Sequence, residues 1–384
     1  MNVLRPLLAL LVVTAMWLAA PVRLVRAADG SDETLFTVYR IAVDVTASTA
    51  TAARREALEE AQERAYRTLL EKLVAAQDVA ALPAPDPALM ESLVRAVDIV
   101  EERRSPTRYL ATVNVAFRAD AVRQLFAEAG VAYTESMAGP YLLVPLFADG
   151  GVLRLFGEHD WRRALLAADW DNRLIRYVLP QDTPRVRSQL APRRLENLAA
   201  SAFGPVAAAL EVRQMAVAEA IGGFDMASGR YAIRYRVRLG PEDAIDESGE
   251  VLAREGEDRA AVLLRAADQV LDRLDAAWKG RTLIAGSELA RLLVQVPVRN
   301  VNDWLAVRGR LLAVSLVREA DPVSIALPVS RLRIVFAGSI EQLRLALSEA
   351  GLMLEGSADG AVLRLRELVP PTATADPTPG EGSP

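Results

Sequence analysis

The spacing of apolar positions changes repeatedly along this chain, and each change marks an element. Leu35 to Val45 alternates around Phe36, Val38, Ile41 and Val43, the two-residue repeat of a half-buried strand. The repeat then lengthens. Ala53, Ala57, Ala61 and Ala65 recur every four residues, and Leu58, Leu69 and Leu73 widen the stripe. A helix is therefore predicted to about Val74, with Ser48, Thr49 or Thr51 as its cap. An alanine stripe lets a helix lie close on a sheet, and Glu60–Arg64 and Glu63–Arg67 have the favourable acid-before-base spacing on its wet face. Leu82-Pro-Ala-Pro-Asp-Pro87 breaks the chain. Strands at Val97–Arg103 and Tyr109–Phe117 meet around Arg104-Ser-Pro-Thr107, and a helix from Asp120 to Ala129 stops at Gly130. The predicted N-terminal unit, residues 28–136, is β-α-β-β-α.

A middle mixed α/β domain is predicted over residues 139–280. Tyr141–Phe147 is an apolar run fit for a buried strand, turned by Asp149-Gly150-Gly151. A helix from Trp161 to Ala168 with Asp160 as cap, a strand at Leu174–Leu179 and a helix from Pro192 to Phe203 follow. Val212–Ile221 and Tyr231–Leu239 read as a hairpin, and Glu250–Arg254 adds a strand. Asp258–Lys279 is a long helix striped by Ala261, Leu264, Ala267, Leu271, Leu274 and Trp278, closed by Gly280.

The third unit, residues 286–367, reads as strand Leu289–Val296, a helix capped by Asn300 or Asn302, strands Val314–Glu319 and Arg331–Phe336, a helix and a last strand region. The first of these helices carries Val301, Trp304, Leu305 and Leu311. The second opens with the capping box Ser339-Ile-Glu-Gln342, turns Ile340, Leu343, Leu347 and Ala350 inward, and ends at Gly351. Leu352–Leu354 and Ala361–Leu365 supply the last strand region. That order, β-α-β-β-α-β, is the ferredoxin-like arrangement. Residues 368–384, rich in Pro, Thr and Gly, are predicted to be a disordered tail. The fold class is thus α+β, multidomain.

The N-terminus changes the picture most. Arg5 precedes an unbroken apolar or small run from Leu7 to Ala20, and Val25-Arg26-Ala27 places small or β-branched side chains at the two positions a signal peptidase reads. Residues 1–27 read as a secretory signal peptide cleaved after Ala27, and the expected location is the periplasm of a Gram-negative bacterium. The run is too short to span a bilayer, and no transmembrane span is expected in the mature chain. Losing Arg5, Arg23 and Arg26 takes the net charge from −5 to about −8, which argues against nucleic acid or anionic lipid as partner.

The chain has no cysteine, which excludes disulfides, a lipid-modified N-terminal cysteine, thiol catalysis and thiolate metal sites. Its one histidine, His159, excludes any zinc site built on a histidine pair. Lys72 and Lys279 are the only lysines, so arginine-rich surfaces follow from composition. No phosphate-binding glycine loop occurs, and no cofactor or metal is expected.

Three stretches carry a family resemblance: Tyr39-Arg-Ile-Ala-Val-Asp-Val45 with its alanine- and arginine-rich helix; Tyr141-Leu-Leu-Val-Pro-Leu146 with Trp161 and Trp170; and Leu274-Asp-Ala-Ala-Trp-Lys279 followed by Val301-Asn-Asp-Trp304 and Arg310-Leu311. The chain resembles an uncharacterised exported proteobacterial family, domain of unknown function 2066. The resemblance implies an envelope-associated protein and brings no catalytic residues with it.

Two groups are candidate sites. His159, Asp160, Trp161 and Arg162, with Asp169, Trp170 and Asp171, form the densest polar and aromatic grouping. It could bind a small ligand or cation, or supply acid–base chemistry. A plainer reading makes His159 a surface loop residue, Asp160 a helix cap and Trp161 a core side chain. Arg162 and Arg163 in a first helical turn oppose the helix dipole, which calls for an earlier start or an acidic partner. Arg230, Arg234, Arg236 and Arg238 fall on alternate positions of one strand and form either a positive stripe for an acidic partner or a solvated face paired with acids such as Glu211 and Glu219. Enzymatic activity is left open, and the absence of a catalytic motif favours a non-enzymatic interaction or assembly factor of the cell envelope. The alternative is a periplasmic enzyme or a small-ligand or metal-binding protein with its site near residues 147–171.

Overall fold

The computed structural model describes residues 34–240, 245–284, 289–356 and 360–365; the expected leader and tail lie outside them. The architecture is mixed α/β, with four sheets and ten α-helices among the described residues.

The first sheet is antiparallel. Strands β1 (Thr37–Thr46), β2 (Val94–Arg104) and β3 (Arg108–Phe117) lie in the order β1-β3-β2. Helix α1 (Ala50–Leu73) covers it, capped by the Thr49 hydroxyl, which accepts from Ala52 N at 3.1 Å. Ala53, Ala57, Ala61 and Ala65 are all fully buried, as the four-residue stripe requires. The proline-rich break leads into an unexpected short helix, α2 (Pro87–Leu93), because Asp86 caps it and Pro87 opens its first turn. Helix α3 (Ala119–Ala129) ends on Gly130 at φ 65°, a left-handed conformation that suits glycine.

Strand β1 bulges at Tyr39–Arg40, where its register with β3 shifts. Arg40 has φ 59°, which costs a non-glycine residue roughly 1–2 kcal/mol. Hydrogen bonds offset this. Asn114 Oδ1 accepts from Arg40 N at 2.9 Å, and Asn172, far along the chain, takes Tyr39 N at 2.8 Å and donates to Tyr39 O at 3.0 Å.

The middle region comprises β4 (Tyr133–Thr134), β5 (Ala138–Asp149), β6 (Val152–Arg154), α4 (Asp160–Ala167), β7 (Ile175–Val178), α5 (Pro184–Gln189), α6 (Pro192–Glu196), α7 (Gly204–Ala209), β8 (Met215–Phe224), β9 (Tyr231–Gly240), β10 (Ile245–Leu252) and α8 (Arg259–Thr282). Its sheet runs β10-β9-β8-β5-β6, with β7 also on β5. One face packs into the main core with α8, through Ala216, Ala218, Ile233 and Val237 against Val262, Ala266 and Val270. The other is partly covered by α5–α7, where Leu190, Leu195, Phe203 and Val206 meet Leu142, Val144, Leu146 and Val217 of the sheet.

The helix expected from Pro192 to Phe203 is broken into α6, a 3-10 turn at Ala200–Ala202, and α7. At the break the Arg238 guanidinium donates to the carbonyls of Leu195 (2.8 Å) and Leu198, groups that in a continuous helix would accept from residues four further on. Helix α8 runs past Gly280 to Thr282.

The last region comprises β11 (Leu283–Ile284), β12 (Leu289–Pro297), α9 (Val301–Leu312), β13 (Val317–Ser324), β14 (Val329–Ala337), α10 (Ile340–Glu349), β15 (Leu352–Glu355) and β16 (Ala361–Leu365). The main sheet runs β13-β14-β12-β16-β15. Asn300 caps α9, and both halves of the Ser339/Gln342 capping box form. The second strand starts three residues later than expected, at Val317. The last strand region is a hairpin, and β16 pairs parallel to β12, where a ferredoxin-like sheet has an antiparallel neighbour.

The three regions share one continuous core. Segments at the expected boundaries pair with each other: β4 with β11, Thr134 Oγ1 with Thr282 Oγ1 at 2.7 Å, and Trp278 Nε1 donating to Ser136 O at 2.7 Å.

Candidate functional site

His159 is the N-cap of α4 and is buried, not a surface loop residue. Its Nδ1 accepts from Arg162 N at 3.2 Å and its Nε2 faces Leu155 O at 3.3 Å, so the ring serves as a neutral cap with its proton on Nε2. Burial lowers its pKa, and the ring stacks on Phe147 at 5.7 Å. Trp161 is fully buried, with Nε1 donating to Ala218 O at 2.8 Å. Asp160 is the first helical residue instead of the cap. It pairs with Arg163 and with Arg259 at 3.2 Å, which meets the demand for an acidic partner in that turn.

Asp169, Trp170 and Asp171 serve different ends. Trp170 Nε1 donates to Leu165 O at 2.6 Å, and Asp171 is exposed. Asp169 accepts from Asn172 N at 3.3 Å and Asn172 Nδ2 at 2.7 Å, fixing the amide that holds the β1 bulge. Among the described residues, no group of three or more His, Asp or Glu side chains is arranged to hold a metal ion.

The four arginines of the β9 region do not form one exposed stripe. Arg238 is buried, lies 3.3 Å from Glu219 and sits over the Phe203 ring. Desolvation lowers its pKa and raises that of Glu219. Arg236 makes a two-point contact with Asp246 at 2.6 Å. Arg234 and Arg230 are exposed, and Arg230 precedes the strand. Glu211 pairs elsewhere, with Arg185 at 2.8 Å.

A charged concavity lies between α1, the 169–173 loop and α8. It is a cleft of about 610 Å³ lined by Lys72, Asp169, Asn172, Arg173, Asp275 and Lys279, among others. Asp268, Asp272, Asp275 and Lys279 recur at spacings of four, three and four, so one face of α8 presents them together. That spacing is readable in the sequence, beneath the apolar stripe of the same helix. Their partner Arg173 is not, because it lies about a hundred residues away. Arg173 meets Asp272 directly and lies 3.6 Å from both Asp268 and Asp275. Burial works against its charge, but the three carboxylates outweigh burial and raise its pKa.

Asp275 receives less. Ile175 N donates to it at 3.3 Å, and burial pushes its pKa up to about 6. Lys72, buried in the last turn of α1, donates to Thr34 O at 3.3 Å, and burial brings its pKa down to about 8. Lys279 Nζ donates to Glu71 O and to Val74 O at 2.9 Å, tying α8 to the end of α1. The buried Tyr177 hydroxyl has no hydrogen-bond partner among the described residues, and desolvation holds its pKa well above the usual phenol value.

No known family model matches the chain, and a search of curated proteins finds no match.

Proposed function

We propose that this chain is an exported, periplasmic interaction or assembly factor of the cell envelope, acting through surface contact. The carrying observation is the bare apolar side chains at the ends of two hairpins on separate sheets. Phe224 and Met226 stand out at the β8–β9 end, 72% and 97% exposed; Ile325 and Leu327 stand out at the β13–β14 end. Exposed apolar side chains that cluster into a patch mark contact sites, and each tip carries two such side chains within three residues. The leader-like N-terminus supports the same reading. We read residues 286–367 as a ferredoxin-like unit whose last strand became a hairpin, a scaffold that presents such a tip.

The test is a photocrosslinking side chain at Phe224 or Met226 in living cells, with Glu56 on the exposed face of α1 as control. Protein adducts are expected at 224 and 226 and not at 56. Absence of adducts at both hairpin positions sinks the reading.

The ligand-binding alternative near residues 147–171 is favoured by one observation, the charged cleft beside that segment, with Asp275 incompletely paired. It predicts that a small zwitterion or anion raises the melting temperature of the chain and that Asp275→Asn abolishes the shift.

A further inference from the structure

We infer that the β13–β14 hairpin end and the adjoining start of α9 form a tip that docks on the surface of a phospholipid bilayer. The inference rests on the contact-protein reading above and names the partner of one of its two hairpins. Residues 321–329 are exposed throughout, and Val323, Ile325 and Leu327 are among them. Val298 N donates to Pro328 O at 3.0 Å, which brings the entry to α9 against the hairpin end. Helix α9 turns Trp304, Val307 and Leu311 inward, yet Val301 and Leu305 on its outer side are more than half exposed. Two elements therefore contribute exposed apolar side chains to one end of the last region.

The backbone of that end favours lipid over a protein partner. Loop N–H and C=O groups entering an apolar boundary need partners supplied from within the chain. Ser330, fully buried, provides both for Ala326, between the two most exposed apolar side chains of the tip: Ala326 N donates to its Oγ at 3.2 Å, and the Oγ donates to Ala326 O at 3.1 Å. Pro322 and Pro328 carry no N–H, and the Pro328 carbonyl is already taken by Val298. A protein partner could supply such bonds itself and would not need them met in advance.

Charge agrees locally. Asp303 is tied to Arg299 at 3.0 Å, and Asp321 stands opposite Arg333 in the ladder. Arg308, on the outer side of α9, and Arg331, beside Val329, are exposed and have no ion pair among the described residues. Both suit lipid phosphates at the depth of an apolar tip. The chain as a whole is acidic, so long-range attraction to an anionic bilayer is weak; the apolar tip carries binding, and the arginines add a modest preference.

The test is co-flotation of the chain beginning at Ala28 with vesicles of phosphatidylcholine alone and with about one third phosphatidylglycerol. Starting at Ala28 removes the apolar leader, which would bind vesicles by itself. Binding to both vesicles is expected, stronger to the anionic ones. Ile325→Asp with Leu327→Asp should weaken it at least about tenfold. Arg308→Glu with Arg331→Glu should remove only the anionic preference, and Phe224→Asp with Met226→Asp should change nothing. The cysteine-free chain permits a second measurement that leaves the tip's fold alone: an environment-sensitive dye on Ile325→Cys should shift to the blue with vesicles, and the same dye on Met226→Cys should not. Failure of the wild-type chain to float on either vesicle overturns the inference, as does flotation unaffected by the tip substitutions or an unshifted dye at 325. Loss of protein adducts at Phe224 with flotation intact would instead sink the assembly reading and leave this one standing.

Discussion

Glu135 and Asp275 are both carboxylates withdrawn from water at junctions between regions, and they are treated very differently. Glu135 is fully buried and receives three close donors: Arg123 Nε at 3.0 Å, Arg123 Nη2 at 2.7 Å and Arg318 Nη2 at 2.6 Å. The two arginines come from α3 and β13, so the carboxylate joins the first region to the last. Asp275 has a backbone N–H at 3.3 Å and an arginine at 3.6 Å that it shares with Asp268 and Asp272. Burial is similar in kind, but the number and closeness of donors differ. Where donors are close, the desolvation of a charge is offset; where they are not, burial pushes the pKa up, as at Asp275. The first arrangement is a closed lock. The second is open, with room for a small polar ligand to complete it.

The largest effect is expected from opening the lock. Glu135→Ala leaves Arg123 and Arg318 together without their carboxylate and should cost about 3–5 kcal/mol in urea unfolding. A loss below about 1 kcal/mol would show that the two clusters do not differ as their geometry says.

Arg238 is a second closed arrangement. Arg238→Ala strips hydrogen bonds from Leu195 O and Leu198 O and a partner from Glu219. It should cost about 2–3 kcal/mol, against about 0.5 kcal/mol or less for Arg234→Ala on the same strand face. Equal losses would restore the solvated stripe that alternation alone suggests.

That stripe shows where sequence reading stops. Period two assigns Arg234, Arg236 and Arg238 to one face, correctly, but not the point at which α6 and the 200–203 turn begin to cover it. The same limit applies at His159: helical spacing locates α4 within a residue, while an imidazole serving as the cap is invisible to a pattern that favours Asp160. Elements set by local chemistry are readable. The alanine stripe of α1, the Ser339/Gln342 box and the Gly130 stop all follow from neighbours within a few residues. The cleft is half readable, since α8 carries its acids at regular spacing. Its other half, Arg173, Asn172 and Lys72, is assembled only when three regions close on one core.

The open cluster should reveal itself through pH. Asp275 titrates near 6 when folded and near 3.8 in a free carboxylate. Between those values the folded chain holds a proton that the unfolded chain has released. The stability this contributes is present below about pH 4 and is lost as pH rises through 6. Between pH 4 and 6.5 the urea stability of the wild type should fall by on the order of 2 kcal/mol more than that of Asp275→Asn, the variant lacking the decline. Parallel curves would mean that Asp275 is paired as tightly as Glu135.

Lys72→Met gives a small effect at neutral pH and the sharpest test of openness. Methionine keeps the length of the side chain and removes a charge whose burial is unfavourable, so the change at pH 7 should stay within about 1 kcal/mol. The alkaline side behaves differently. Lys72 titrates near 8 folded and near 10.5 free, so between these values the unfolded chain holds the extra proton and wild-type stability rises with pH. The methionine variant should lack its share of that rise, with Lys279, also lowered by burial, supplying what remains. On the acid side the substitution removes a positive charge that Asp275 feels, which should move the Asp275 titration further upward. One substitution thus shifts both windows in stated directions while leaving pH 7 nearly unchanged. A large loss at pH 7 with both windows unmoved would make Lys72 a structural tie like Arg123, and the cleft a second lock.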